Sequence, residues 1–244
     1  MQPGWIAADW PAPDGVVAGC TTRQGGHSNG DYSSQNLGGH VGDRAESVAR
    51  NRTALSDFLQ LPGEPCWLEQ VHGAAVVTAG RSDTPKADAS VAVDNQVSVV
   101  MTADCLPVLL CSLDSDCVAA AHGGWRGLAA GILFRTVAEM PAKPQRLIAW
   151  LGPAISQNAF EVGSEVRQAF VDQYADAARC FRKNEAGRWQ ADLYGIARLQ
   201  LAMAGVSAVF GGDFCTATDE ERFFSYRRDG NCGRMASLIC LKSR

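Results

Sequence analysis

The chain has 244 residues, 46% hydrophobic and 20% charged, with a formal net charge of -4 and a pI near 5.6. These values exclude a disordered polypeptide and suit one domain over residues 1–244 with a full core. The mildly acidic balance gives no general attraction to nucleic acid or to an anionic membrane, so an anionic substrate has to be held by local arginines.

The start, Met1-Gln2-Pro3-Gly4-Trp5, has neither the basic residues nor the apolar run of a signal peptide. No apolar run is long enough to span a bilayer, and the expectation is a soluble, cytoplasmic protein. Gly15 to Cys20 is apolar and β-branched and reads as a strand, followed by the loop Gly25-Gly26-His27-Ser28-Asn29-Gly30. Asp43 is placed to cap a helix whose Ala45, Val48, Leu55 and Leu59 share a face, with Arg52 as the polar exception and Pro62-Gly63 as the stop.

The centre reads as strands. Cys66 to Leu68 and Ala74 to Ala79 are short apolar runs separated by Glu69-Gln70-Val71-His72-Gly73. Val91 to Val93 and Gln96 to Thr102 flank an Asp94-Asn95 turn; Pro107 to Cys111 and Cys117 to Ala121 flank Leu113-Asp114-Ser115-Asp116. A helix is expected from Leu128 to Met140, a strand from Arg146 to Leu151, and a helix from Val162 to Tyr174. Asp192 caps a further helix whose Leu193, Ile196, Leu199 and Met203 align, with Gly205 as its stop. Val206 to Phe210 and Ser237 to Leu241 are closing strands. Strands and helices mix without a steady βαβ rhythm, which predicts an α+β (mixed α/β) fold with large mixed sheets flanked by helices.

Nine cysteines are an odd number and none are spaced as Cys-x-x-Cys, which suggests neither a disulfide framework nor a zinc ribbon. Cys20, Cys111, Cys117 and Cys240 lie in apolar stretches and read as reduced core thiols.

Chemistry concentrates at strand ends. His72 follows Trp67-Leu68-Glu69-Gln70-Val71, and His122 follows Val118-Ala119-Ala120-Ala121; each precedes a glycine. Cys105 follows a third strand, in Met101-Thr102-Ala103-Asp104-Cys105. Ends of adjacent strands are close in space, so the three can converge. Two imidazoles and a thiolate suit Zn²⁺ or copper, and three protein ligands leave the open position of a catalytic site. The plainer alternative is a scaffold histidine and a core cysteine.

Gly123, Gly124 and Gly127 beside Arg126 suit either an anion cradle or a tight turn, and spacing does not separate the two. Arg23 in Thr21-Thr22-Arg23-Gln24-Gly25-Gly26, and Arg227 with Arg228 beside Phe223, Phe224 and Tyr226, could stack a planar ring and hold an anion. On residue types alone, a surface salt-bridge network is the better reading. His27 reads as solvent-exposed, and His40 as either a neighbour of the site or surface.

The ordered segments Thr22-Arg23-x-Gly25-Gly26-x-Ser28, Asn36-Leu37-Gly38, Gln70-Val71-His72-Gly73, Thr102-Ala103-Asp104-Cys105-Leu106-Pro107-Val108, Ala121-His122-x-Gly124-Trp125-Arg126-Gly127, Leu151-Gly152-Pro153-Ala154-Ile155, Phe160-Glu161-Val162-Gly163 and Phe224-Ser225-Tyr226-Arg227-Arg228-Asp229-Gly230 run over nearly the whole chain. Together they resemble the YfiH-like family, also called the multicopper polyphenol oxidoreductase (laccase) family, purine nucleoside phosphorylase and peptidoglycan editing factor. Cys232 stands where that pattern has threonine.

The resemblance implies a fold related to bacterial cysteine-hydrolase-like toxins, and His72, Cys105 and His122 as a catalytic metal site holding Zn²⁺, with Cu²⁺ as the alternative. It implies substrate or phosphate contacts at Arg23, Asn36, Gly124, Arg126 and Arg227, with Asp104 a proton acceptor by position. The leading implied activity is zinc-dependent phosphorolysis of adenosine, inosine and methylthioadenosine, with adenosine deamination alongside. The runner-up removes L-Ser from UDP-MurNAc-L-Ser, with Cys105 as nucleophile and His122 as base, or with the metal activating water. Polyphenol oxidation at a multinuclear copper centre needs more imidazoles than four histidines supply, which leaves weak oxidation at a single copper. A metal- or nucleoside-binding regulator without turnover is the non-enzymatic reading. The expected partners are small molecules, with no nucleic acid or membrane, and the expected state is monomer or homodimer.

Overall fold

A computed structural model describes residues 2–80, 84–114 and 116–242, so Met1 and Ser115 of the readings above lie outside the described residues. The strands in chain order are β1 (Trp5–Ala7), β2 (Val16–Thr21), β3 (Pro65–Cys66), β4 (Val76–Thr78), β5 (Ala89–Ala92), β6 (Val97–Thr102), β7 (Leu106–Ser112), β8 (Val118–Gly123), β9 (Leu147–Leu151), β10 (Glu161–Val162), β11 (Phe181–Lys183), β12 (Trp189–Ala191), β13 (Ala208–Gly211) and β14 (Met235–Leu241). The helices are α1 (Ala45–Leu59), α2 (Trp125–Ala129), α3 (Ile132–Glu139), α4 (Ser164–Val171), α5 (Leu193–Met203) and the short α6 (Tyr226–Asp229).

One sheet has the order β1-β2-β14-β6-β3, a second β13-β9-β7-β8-β5-β4, and a small third β10-β12-β11. The two large sheets are mixed: β3 joins β6 and β4 joins β5 in parallel, whereas β7, β8 and β14 pair antiparallel. This is the α+β architecture expected from the sequence.

Alternation along the strands builds three apolar layers. On β14, Met235 and Ile239 face the core shared by the two large sheets, with Val100, Leu109, Val118 and Trp150. Ala236, Leu238 and Cys240 point the other way, against Leu55 of α1. On β7, Leu106, Val108 and Leu110 face away from the shared core, toward Leu133 and Val137 of α3 and Ile196 of α5. Both faces of β7 and β8 are covered, which is why they read as unbroken apolar runs. No described helix is long and apolar enough to cross a membrane.

The structure corrects several local expectations. Asp43 is not the cap of α1; Arg44 occupies that position with extended backbone. Asp43 instead accepts from Ser28 Oγ at 2.6 Å and Asn36 Nδ2 at 2.9 Å, a tie across the loop that outcompetes capping. The helix expected over 128–140 is two helices, because Gly131 adopts φ 83° and breaks the ladder between α2 and α3. The helix expected over 162–174 loses its start to β10, which pairs with β12, and α4 begins after Gly163. Trp67 to Val71 is irregular apart from a single bridge from Glu69 to Lys86.

Candidate active site

The end of the six-stranded sheet assembles the histidines and the cysteine. β7 and β8 pair with Pro107 opposite His122 and Leu106 opposite Gly123, so Cys105, one residue before β7, lies beside the end of β8. Cys105 sits in the short link that carries the chain from β6 in one large sheet to β7 in the other. On the other side of β8, Ala89 of β5 pairs with Ala121, and the His122 N–H donates to the Asp88 carbonyl at 2.7 Å. β4 pairs with β5, and the turn 71–73 leads into β4.

The ligand-bearing atoms of His72, Cys105 and His122 all lie within 4.8 Å of one another. His72 Nε2 is 4.0 Å from the Cys105 sulfur, and the two imidazoles meet edge to face with centroids 4.8 Å apart. His122 is buried, Cys105 half-buried and His72 exposed. His72 has φ 59°, a left-handed conformation uncommon for a side chain larger than glycine.

Asp88 lies directly behind the cluster. His122 Nδ1 is 2.8 Å from its Oδ1, and the backbone amides of Val71, His72 and Gly73 donate to the same carboxylate. Burial pushes the Asp88 carboxyl up, but these bonds outweigh it and hold it below the usual carboxylate range. Burial also pushes the Cys105 thiol up; the positive His122 ring and hydrogen bonds from both histidines outweigh it and lower it. His122 moves the other way: burial disfavours its charge, but the Cys105 thiolate and Asp88 raise it. Both shifts share one cause, the closeness of the Cys105 sulfur to the His122 ring.

The donor set fits a soft or borderline metal. Tetrahedral zinc, with bonds of about 2.0–2.3 Å, requires ligand atoms roughly 3.4–3.6 Å apart, so the cluster needs only a small contraction. Copper suits the same two nitrogens and one sulfur. A multinuclear copper centre does not fit, because neither His27 nor His40 joins the cluster.

The cluster opens onto a cavity of about 380 Å³ whose wall includes Arg126, Arg227, Arg234, Trp125, Phe160 and Tyr226. Arg126 lies over the Trp125 ring and Arg227 over Phe160. Among the described residues none of these three arginines is ion-paired, and they outnumber the acidic groups on the wall, so the cavity presents a net positive charge. Asp104, at φ 91°, is the acidic residue on the wall, and both its oxygens are engaged: Thr216 Oγ1 and the Arg227 N–H each donate at 2.6 Å.

Of the residues expected to touch substrate, Arg126 and Arg227 line this cavity. Gly124 stands at the start of α2, packed against all three cluster residues. Arg23 and Asn36 are not on the cavity wall. Arg23 donates to the carbonyls of Ser33 and Glu220 and lies over Phe224, and Asn36 is fully buried with its amide tied to Gly38 and Asp43. His27 is partly buried rather than exposed, and His40 is on the cavity wall. Sequence reasoning missed Arg234, whose cue was only one more arginine beyond the Phe224–Gly230 segment, and Asp88, which carries no cue in Lys86-Ala87-Asp88-Ala89.

The fold and cluster have known counterparts. The chain belongs to the family described as multi-copper polyphenol oxidoreductase laccase, whose model matches residues 17–242. Within that family it is 49% identical over 240 residues to purine nucleoside phosphorylase PA4543 of Pseudomonas aeruginosa, covering 98% of each chain. It is 50% identical over 239 residues to purine nucleoside phosphorylase YfiH of Escherichia coli strain K12, covering 97% of this chain and 98% of that one. The crystal structure of protein NMB0706 of Neisseria meningitidis superposes with a TM-score of 0.95 at 50% identity, covering 98% of this chain and all of the other. These relatives bear out the YfiH-like resemblance.

Proposed function

We propose that this chain is a zinc-dependent purine nucleoside phosphorylase acting on adenosine, inosine and methylthioadenosine, with adenosine deamination as a second activity. The observation that carries the metal reading is the approach of His72, Cys105 and His122 ligand atoms to within 4.8 Å of one another beside a cavity. The choice of reaction is supported by the names of relatives that are half identical over nearly their whole length. In this reading the guanidiniums of Arg126 and Arg227, neither ion-paired among the described residues though Arg227 Nη1 also donates to the Glu161 carbonyl, bind the phosphate co-substrate and orient an oxygen toward the sugar carbon. The rings of Trp125, Phe160 and Tyr226 flank the planar base. When bound, zinc supplies a Lewis acid at the cluster. The chain works as one catalytic domain in the cytoplasm, on small molecules alone.

The test is hypoxanthine release from inosine, with and without phosphate, by zinc-loaded and chelator-treated protein. Release that needs both phosphate and metal is expected; release indifferent to phosphate overturns the phosphorylase.

One observation favours a second reading, removal of L-Ser from UDP-MurNAc-L-Ser. Asp88, His122 and Cys105 form a carboxylate–imidazole–thiol series in which Cys105 is biased to thiolate, the arrangement of a cysteine nucleophile and its base. Serine release from that substrate by protein that leaves inosine intact would move the assignment there.

A further inference from the structure

We propose that Asp88 is the positioning residue of this site, a single carboxylate that fixes the His122 ring and the His72 backbone at once. The inference rests on the metal reading above.

Asp88 is fully buried, and its two oxygens divide their work. Oδ1 accepts from His122 Nδ1 at 2.8 Å and from the His72 N–H at 2.9 Å. Oδ2 accepts from the Gly73 N–H at 2.7 Å and from the Val71 N–H at 3.3 Å. The Asp88 main chain is fixed too, with its carbonyl accepting from the His122 N–H and its own N–H donating to the Ala75 carbonyl.

The arm toward His122 decides a tautomer. An ionised carboxylate only accepts, so Nδ1 must carry the proton. Nε2 then keeps its lone pair for the cluster, whereas an unconstrained imidazole samples both tautomers. The arm toward His72 holds a backbone conformation. Three successive amides converge on one carboxylate, and these bonds offset the cost of φ 59° at His72. Asparagine cannot replace both arms. With its oxygen at the Oδ1 place, its NH₂ would face the Gly73 and Val71 amides, donor against donor.

The experiment measures zinc affinity of the full chain by competition with a chromophoric chelator, for wild type, Asp88→Asn and Asp88→Ala. Thermal melting of the metal-free proteins reports folding. Asp88→Ala is expected to bind zinc about 10- to 100-fold more weakly, the usual loss for such partners of metal-binding histidines. Asp88→Asn, which keeps the ring contact and loses the turn, should fall between it and wild type. The second readout is the His122 Nδ1 proton in ¹⁵N–¹H spectra of metal-free protein, protected in wild type and lost in Asp88→Ala. A merely structural role would leave that proton in place in a folded variant.

Zinc affinity within about twofold of wild type in folded Asp88→Ala, or persistence of the Nδ1 proton there, overturns the proposal. If Asp88→Ala does not fold, wild-type zinc affinity in Asp88→Asn overturns it. If wild type takes up no zinc, the metal reading fails by itself, and the Nδ1 proton still decides the role of Asp88.

Discussion

Gly124 lies directly against Cys105: a Cβ at position 124 would stand 3.2 Å from the Cys105 sulfur, 3.0 Å from His72 Cδ2 and 3.5 Å from His122 Cε1. The φ of Gly124 is -64°, which any residue adopts, so the need for glycine here comes from contact and not from backbone conformation. Gly124→Ala is expected to fold normally and to bind zinc about tenfold or more weakly, since forcing a methyl into a filled space costs about 1–3 kcal/mol. Chelator competition checks it; unchanged affinity would show that the three side chains have room to part.

Cys105→Ala should abolish bound zinc and lower phosphorolysis by about 100-fold or more, because the thiolate is the softest of the three donors. Elemental analysis of the purified variant reads the metal, and release of free base reads the rate. Zinc at wild-type stoichiometry in this variant would remove Cys105 from the ligand set.

Chelator-treated protein should show Cys105 as its fastest thiol, ahead of the half-buried Cys215, which burial pushes up but hydrogen bonds with Ser156 and Thr218 lower. The Cys105 thiol is held at about 6, so at pH 7 it is mostly thiolate, whereas burial pushes Cys20 and Cys117 up to about 12. Iodoacetamide followed by peptide mass analysis should mark Cys105 first, and added zinc should protect it. Equal labelling with and without zinc would separate Cys105 from the metal.

Arg227→Ala and Arg23→Ala should part company. Arg227 is on the cavity wall, and its loss is expected to raise the KM for phosphate about 10- to 100-fold, the worth of a charged hydrogen bond. Arg23 bonds carbonyls away from the cavity, and its loss should lower the melting temperature and leave that KM unchanged. Steady-state kinetics at varied phosphate distinguish the two, and a KM effect at Arg23 would relocate the anion.

His27→Ala should leave turnover within about twofold of wild type, since the described bond of His27 is its backbone N–H to Asn51 Oδ1 at 2.7 Å. Inosine turnover by the purified variant measures this, and a tenfold loss would place the cavity wrongly.

Much of this was legible in the chain. The apolar spacing from Ala45 to Leu59 gave α1, and the runs from Gln96 to Ala121 gave β6, β7 and β8. Convergence of His72, Cys105 and His122 is legible from strand ends, although the Trp67–Val71 run before His72 is irregular and not a strand. What stayed hidden depends on distant partners. Asp88 matters through residues 15 to 34 positions away, and Asp43 through Ser28 and Asn36 across a loop. The strands of the small third sheet, two or three residues long, are too short to show a period.

The placement of Cys105 in the link between the two large sheets ties the cluster to the whole molecule. Its sulfur meets His122 through the β7–β8 pairing and His72 across β8, β5 and β4, so the cluster forms only once these strands of one sheet have paired in correct registry. An ion captured there would clasp these strand ends together. At a concentration 1,000 times its dissociation constant it adds about 4 kcal/mol to the native state, so metal supply would govern how long this protein survives as well as how fast it turns over.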